Sequence, residues 1–102
     1  MEDLHEIFSQ FKEEFPEIHE KHEALGKAVH EKGGPLTEKS RWLIKIAISG
    51  ACNHMRALET HIHKAIAAGV DEDEIKHALL LLIPTAGFPA FMKSYTVLKG
   101  IK

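Results

Sequence analysis

The sequence predicts an all-α protein of about six helices. Between breaks rich in proline and glycine, apolar residues recur at steps of three and four, as the buried stripe of an amphipathic helix requires. No segment shows the sustained alternation of apolar and polar residues that is typical of strands. A chain of 102 residues has the length of one domain, so we expect a single domain over residues 1–102.

Two helices are expected within residues 2–32. The first places its apolar side chains on one stripe, made of Leu4, Ile7, Phe8, Phe11 and Phe15. Pro16 suits the first turn of the second helix, where a missing N–H group leaves no helical hydrogen bond unmade. The pair Gly33 and Gly34 ends this second helix.

The middle of the chain predicts two further helices. Thr37 is the expected N-cap of the third helix, which is apolar on more than one side and should therefore lie at the centre of the fold. The end of this helix falls near residues 50–53. The fourth helix covers about residues 54–68, with Gly69 at the C′ position that favours glycine.

The last part of the chain predicts a fifth and a sixth helix. Asp71 and Glu74 form a capping-box start for the fifth helix, which runs towards Pro84, and Pro89 opens the sixth. Residues 79–83 are five consecutive large aliphatics, and such a run points all round a helix. We therefore expect another subunit to cover part of this surface, with oligomerisation through the fourth and fifth helices.

The charge balance argues against nucleic acid as a partner. Lys and Arg number 13, Asp and Glu number 15, and the net charge is −2, whereas neutralising phosphates requires a basic face. No apolar run approaches the ~18 residues of a membrane span, so no membrane partner is expected. One cysteine cannot form an internal disulfide, and the first residues, MEDLHEIF, lack the apolar core of a signal peptide. We therefore expect a cytoplasmic location.

The fourth helix carries the residues that raise the question of chemistry. His61 lies nine residues after Cys52, the single cysteine. A metal site is not expected here, because His61 and His63 point about 200° apart on a helix. His54 shares a face with His61 but lies ~10 Å away along the helix axis, which is too far for one tetrahedral ion.

Five short motifs occur in a fixed order between residues 36 and 95. They are L-T-x-K at 36–39, Leu43-Ile44 with Ala47, H-x-x-x-A-x-x-x-G at 61–69, D-x-D-E-I at 71–75 and A-G-F-P-A at 86–90. Each motif alone is weak, but the ordered set is fairly specific. In this order they resemble the carboxymuconolactone decarboxylase and alkylhydroperoxidase D-like family. The resemblance implies a small antiparallel helical bundle that assembles into a homo-oligomer, a trimer or a hexamer.

The peroxide-reducing branch of this family uses a C-x-x-C pair, a histidine four residues later and a glutamate on the preceding helix. By this resemblance the histidine corresponds to His61, the two cysteines to His54 and Ala57, and the glutamate to Trp42. The chain thus keeps the histidine but lacks both thiols and the relay acid. Cys52 lies two residues before the expected first cysteine and could reach the site only if the helix begins after it, as it would if Asn53 capped that helix.

The decarboxylase branch offers a different set of partners for the same histidine. It carries an acid two positions before the histidine, and Glu59 has that spacing from His61. One histidine could act as acid or base on a small anionic lactone. Three nearby cations could clamp a carboxylate: Arg41, Lys45 and Arg56.

Three functions follow as hypotheses. The first is a peroxiredoxin-type antioxidant activity using the Cys52 thiol, with His54 beside it. The second is a lyase or isomerase with His61 as general acid or base, and the third is a non-enzymatic oligomeric binding protein. The candidate catalytic residues are therefore His61, Cys52, His54 and Glu59, and the candidate substrate-binding residues are Arg56 and Trp42.

Each of these residues also has a plain structural interpretation. His61 could face a backbone carbonyl or a subunit interface, and Cys52 could be a small buried hydrophobe. Glu59 could be a solvent-facing helix residue, and Trp42 could belong to the core or to the wall of the site. We expect a small-molecule substrate and no metal or cofactor.

Overall fold

The computed structural model describes residues 4–101, and within them the chain forms seven helices and no strand. The helices are α1 (Leu4–Glu14), α2 (Pro16–Lys32), α3 (Glu38–Ala51), α4 (Met55–Ala67), α5 (Glu72–Leu80), α6 (Leu82–Ala86) and α7 (Phe88–Gly100). The predicted all-α class is confirmed. The start of the first predicted helix, at residues 2 and 3, lies outside the described residues.

The chain divides into two compact units, Met1–Pro35 and Leu36–Lys102. The first contains α1 and α2, and the second contains the other five helices. The expectation of one domain over residues 1–102 stays a prediction.

In the first unit, aromatic contacts join α1 to α2. The ring of His19 lies 5.5 Å from that of Phe8 and 6.3 Å from that of Phe11, measured between centroids, with an edge-on orientation in both pairs. His19 Nε2 also lies 3.5 Å from a carboxylate oxygen of Glu23. No residue of α2 is buried, and its apolar stripe of Ile18, Leu25 and Val29 is exposed.

In the second unit, α3 packs against each of the other four helices, as expected for a helix apolar on more than one side. The buried core consists of Ile46, Leu58, Ile62, Ala65, Val70, Ile75, Leu79, Leu82, Phe91 and Leu98. Thr37 caps α3 as predicted, because its hydroxyl accepts a hydrogen bond from the Ser40 N–H at 3.2 Å.

The turn between α3 and α4 is a Schellman motif. Asn53 adopts a left-handed backbone with φ of +61°, and the His54 N–H donates to the Ser49 carbonyl at 2.9 Å. The Asn53 N–H donates to the Gly50 carbonyl at 3.3 Å. Asn53 therefore ends α3, and the expectation that it caps α4 is wrong, since His54 occupies that N-cap position. Asparagine tolerates the left-handed conformation, so the closing of α3 takes precedence.

The ends of α4 and α5 follow the sequence signals closely. Gly69 closes α4 with φ of +92°, and the Val70 N–H donates to the Ala65 carbonyl at 3.0 Å. Asp71 and Glu74 form the predicted capping box, because the Asp71 carboxylate accepts from the Glu74 N–H at 2.8 Å. The Asp71 N–H in turn donates to the Glu74 side chain at 3.1 Å.

The predicted fifth helix stops at Leu80, and the short α6 follows it. Pro84 has no N–H group, so it cannot donate to the Leu80 carbonyl four residues earlier and α5 cannot continue. The apolar run at 79–83 is divided between two environments. Leu79 and Leu82 are buried in the core, whereas the other three side chains are exposed: Leu80, Leu81 and Ile83.

Pro89 lies in the first turn of α7, and Gly87 precedes that helix with φ of +104°, a conformation that glycine adopts without strain. Further along, α7 crosses α3 closely at Gly50. A Cβ atom placed on Gly50 would lie 2.6 Å from Ser94 Oγ and 2.9 Å from a methyl group of Leu82. Ser94 is fully buried and donates to the Ala90 carbonyl at 2.8 Å, so it is held in place.

Over residues 4–101, no helix combines the length and the apolar content needed to cross a bilayer.

The crossing of α3 and α7 generates a stability prediction. Gly50→Ala should lower the free energy of unfolding by about 1–3 kcal/mol through overpacking, despite the ~1 kcal/mol by which alanine favours a helix. Chemical denaturation followed by the fluorescence of Trp42, the single tryptophan, measures this change. Gly100→Ala is the matched control, because a Cβ at Gly100 meets nothing within 4 Å. A Gly50→Ala protein as stable as the wild type would contradict the close crossing.

Candidate functional site

His61 lies at the border of the buried stripe of α4. Its neighbours Leu58, Ile62 and Ala65 are buried in the core, while the His61 ring is half-buried and Thr60 and His63 are exposed. A side chain at this border can be held by the core on one side and meet a ligand on the other. The fourth helix, α4, therefore holds the backbone of His61 in place and leaves its imidazole partly accessible.

The His61 ring is held by a serine of the neighbouring helix. Ser49 Oγ lies 2.8 Å from His61 Nδ1, a short hydrogen bond between α3 and α4. Ser49 is only 4% exposed, so this bond is shielded from competing water. A hydroxyl can donate to or accept from a ring nitrogen, so Ser49 can hold the ring in either protonation state.

Trp42 forms the wall beside the imidazole. The ring centroids of Trp42 and His61 are 5.8 Å apart with a tilt of 41°, within the range of attractive aromatic pairs. Trp42 lies seven residues before Ser49, so both point from α3 to the same side. The indole thus occupies the place where the family resemblance would put a relay glutamate.

A cation lies on the same indole. Lys45 Nζ is 4.8 Å from the centroid of the Trp42 ring, a cation–π distance. Burial lowers the pKa of the half-buried Lys45 ammonium, because desolvation disfavours the charged form. Trp42 therefore connects a histidine and a lysine in one group of side chains.

Two other predicted catalytic residues lie at the turn between α3 and α4. Cys52 is exposed at the end of α3, so the interpretation of Cys52 as a buried hydrophobe is wrong. His54 is also exposed, at the N-cap of α4 and two turns before His61. In the part of the chain that is described, the Cys52 thiol makes no hydrogen bond to the His61 ring.

The predicted charged partners point to other sides of α4. Glu59 is half-exposed and lies two residues before His61, which places it about 200° round the helix. Arg56 is exposed and lies five residues before His61, about 140° away. Arg41 donates from Nη1 to the Leu36 carbonyl at 2.7 Å, which ties it to the start of α3. The roles proposed for Glu59 and Arg56 stay predictions.

Within residues 4–101, no three His, Cys, Asp or Glu side chains come close enough to hold a metal ion. The site therefore offers organic groups: an imidazole, an ammonium, an indole N–H and a serine hydroxyl. These groups can orient an anion, donate hydrogen bonds and transfer protons.

Sequence reasoning missed Ser49. The available signal was its position, because Trp42 and Ser49 lie seven residues apart and share a face of a helix whose other inward residues are apolar. A serine on such a face needs a hydrogen-bond partner. The sequence does not say that the partner is twelve residues away on the next helix.

Comparison with known proteins agrees with the motifs and with the helical fold. No curated protein is significantly similar to this chain. A family model, that of the carboxymuconolactone decarboxylase family, matches residues 16–100, which is most of the chain. The chain therefore belongs to the carboxymuconolactone decarboxylase family.

Proposed function

We propose that this protein is an acid–base catalyst, a lyase or isomerase, acting on a small anionic lactone. The observation that carries the proposal is the hydrogen bond of 2.8 Å between the buried Ser49 hydroxyl and Nδ1 of the half-buried His61. This bond holds the ring through Nδ1, and the proposal assigns the proton transfer to the other ring nitrogen, Nε2. A positioned histidine of this kind contributes ~10²- to 10⁴-fold to a proton-transfer step.

Lys45 and Trp42 supply binding in this proposal. The Lys45 ammonium could pair with a substrate carboxylate, and its lowered pKa reflects a partly desolvated setting in which such a pair is stronger than in water. The indole gives an apolar wall against which a small ring can lie. Loss of carbon dioxide from such a substrate would leave an electron pair delocalised onto a carbonyl oxygen, and His61 would donate to that oxygen.

A thiol peroxidase is the second candidate, and the observation that favours it is the exposure of Cys52. An exposed thiol can meet a peroxide and form a sulfenic acid. The chain has no second cysteine to resolve that product, so an external thiol would have to do so.

One pair of variants separates the two candidates. In an assay of small unsaturated lactone carboxylates followed by ¹H NMR, His61→Gln should lower turnover ~10²- to 10⁴-fold, because the proton donor is lost. Cys52→Ser should leave that turnover unchanged. The same proteins, fully reduced, are mixed with hydrogen peroxide in a stopped-flow instrument as a parallel measurement.

Turnover that survives in His61→Gln would contradict the acid–base proposal. Rapid peroxide consumption that disappears in Cys52→Ser would establish the thiol candidate instead. A wild-type protein that binds the lactone carboxylates but turns over neither them nor peroxide would indicate a non-enzymatic binding protein.

The binding role of Lys45 has its own test. Lys45→Met should weaken binding of a small lactone carboxylate about tenfold, since a hydrogen bond to a charged group contributes ~1.5 kcal/mol or more. Lys45→Arg keeps the charge and should retain most of the affinity. Lys64→Met is the matched control, because Lys64 is exposed in the last turn of α4. NMR titration gives the dissociation constants, and equal values for Lys45→Met and the wild type would exclude Lys45 from the site.

We further propose that a second copy of this chain covers the apolar surface of α3 and α5. An open groove of about 330 Å³ lies between these helices. Seven residues line it: Leu43, Ile44, Ala47, Glu74, His77, Ala78 and the exposed Leu81. Leu80 and Ile83 extend the exposed apolar surface. Monomers rarely expose contiguous apolar patches larger than a few hundred Å². A homo-oligomer, a trimer or a hexamer by family resemblance, would cover it.

A charge on this surface tests the assembly. Leu81 is 58% exposed, so Leu81→Lys should cost the isolated subunit little while placing an ammonium in the interface. Light scattering coupled to size exclusion should show a smaller species for Leu81→Lys. Thr60→Lys adds the same charge at an exposed polar position of α4 and should leave the mass unchanged. A wild-type protein that is monomeric at high concentration would contradict the proposal.

A further inference from the structure

The hydroxyl of Ser49, in α3, behaves differently from two helical hydroxyls of α7. Ser94 and Thr96 donate to the carbonyls four residues earlier, Ala90 at 2.8 Å and Met92 at 2.7 Å. Helical serines and threonines commonly bond in this way. Within the described residues, the Ser49 side chain makes its hydrogen bond to the His61 ring and to no helix carbonyl.

This difference fixes the direction of the bond to His61. Ser49 is 4% exposed, and a buried O–H group needs an acceptor. If Nδ1 carried a hydrogen and donated it to Ser49 Oγ, the serine hydrogen would have no acceptor. Ser49 therefore donates, and Nδ1 of the neutral ring accepts.

We propose that Ser49 is a positioning residue that holds neutral His61 in the Nε2–H tautomer. A neutral imidazole has one hydrogen, so an accepting Nδ1 places that hydrogen on Nε2. His61 then meets a ligand as a hydrogen-bond donor and not as a base. The tautomer stands on the geometry alone, whereas its catalytic meaning rests on the proposed function.

The donor character extends to the neighbouring groups. The indole of Trp42 has a donor N–H and no acceptor, and the charged Lys45 ammonium has three donors and no acceptor. A ligand atom that hydrogen-bonds to His61 Nε2, to Lys45 or to Trp42 must therefore be an acceptor, such as an oxygen. The geometry thus narrows the ligand class to small molecules with a carbonyl or carboxylate oxygen.

The Nε2–H tautomer also sets the order of events in the proposed decarboxylation. When a substrate carboxylate leaves as carbon dioxide, the electron pair of the broken C–C bond moves into the conjugated system and onto the carbonyl oxygen. The Nε2–H of His61 stabilises that oxygen and then transfers its proton to the substrate carbon, which leaves the ring as an imidazolate that still accepts the Ser49 O–H. Nε2 recovers a proton from water, which leaves hydroxide to take up the carbon dioxide as bicarbonate. His61 begins the cycle as the acid, so no separate base is needed to start it.

The tautomer can be measured without a substrate. Protein labelled with ¹⁵N in its histidines is titrated by long-range ¹H–¹⁵N correlation NMR to the alkaline plateau of the His61 ring. The expected spectrum has His61 Nδ1 in the downfield position of an unprotonated nitrogen and Nε2 in the upfield position of a protonated one. His63 is exposed on another side of α4 and serves as the internal reference for a ring that water surrounds.

Two variants assign the effect to Ser49. In Ser49→Ala the His61 ring should exchange between both tautomers, because the hydrogen bond that selects one of them is lost. Its Nδ1 resonance should therefore move upfield and its Nε2 resonance downfield, towards those of His63. Ser49→Thr keeps the hydroxyl and should restore the wild-type position.

Downfield Nε2 with upfield Nδ1 in the wild type would overturn the tautomer, and an Nδ1 shift unchanged in Ser49→Ala would overturn the role of Ser49. If Ser49→Ala does not fold, the wild-type and Ser49→Thr spectra still decide the tautomer. If the spectrum shows the Nε2–H tautomer but the protein does not turn over lactones, the proposed function is rejected and the tautomer assignment stands.

Discussion

Ser49 is the residue on which the rest of the site depends, because both of its polar groups connect α3 to α4. Its carbonyl accepts the His54 N–H at 2.9 Å, which closes α3 and sets the turn into α4. Its hydroxyl lies 2.8 Å from His61 Nδ1, which orients the ring almost two turns into the new helix. One small side chain thus couples the path of the backbone to the position of the imidazole. An alanine at this buried place would leave the ring without its anchor.

By family resemblance, the indole of Trp42 stands where the peroxide-reducing branch has a relay acid, and this difference would change the chemistry of the site. A glutamate beside a histidine accepts a proton and favours the charged ring, whereas Trp42 does neither. Trp42 instead brings His61 and Lys45 together as donors against an apolar wall. The Cys52 thiol is exposed at the C-cap of α3 and makes no hydrogen bond to the His61 ring. Family membership therefore accounts for the helical fold, whereas the side chains around His61 determine the local chemistry.

Local signals in the sequence predicted the helices well. Thr37, Gly69 and the Asp71–Glu74 box were predictable because a cap depends on a few residues in one stretch of chain. Asn53 was assigned to the wrong helix because asparagine suits both a helix start and a left-handed helix end. Predicting the break before α6 required noticing that Pro84 has no N–H group to donate to the Leu80 carbonyl. The hydrogen bond of Ser49 to His61 was beyond such reasoning, because it depends on how two helices pack.

In the proposed site, the group built on Ser49, His61, Trp42 and Lys45 receives an oxygen acceptor of a small anion. A crystal structure of the protein with a bound lactone carboxylate would decide this. We expect a ligand oxygen within hydrogen-bond distance of His61 Nε2, a carboxylate near Lys45 Nζ and an intact bond between Ser49 Oγ and His61 Nδ1. A ligand bound elsewhere, with the His61 ring accessible and empty in the same crystal, would contradict it.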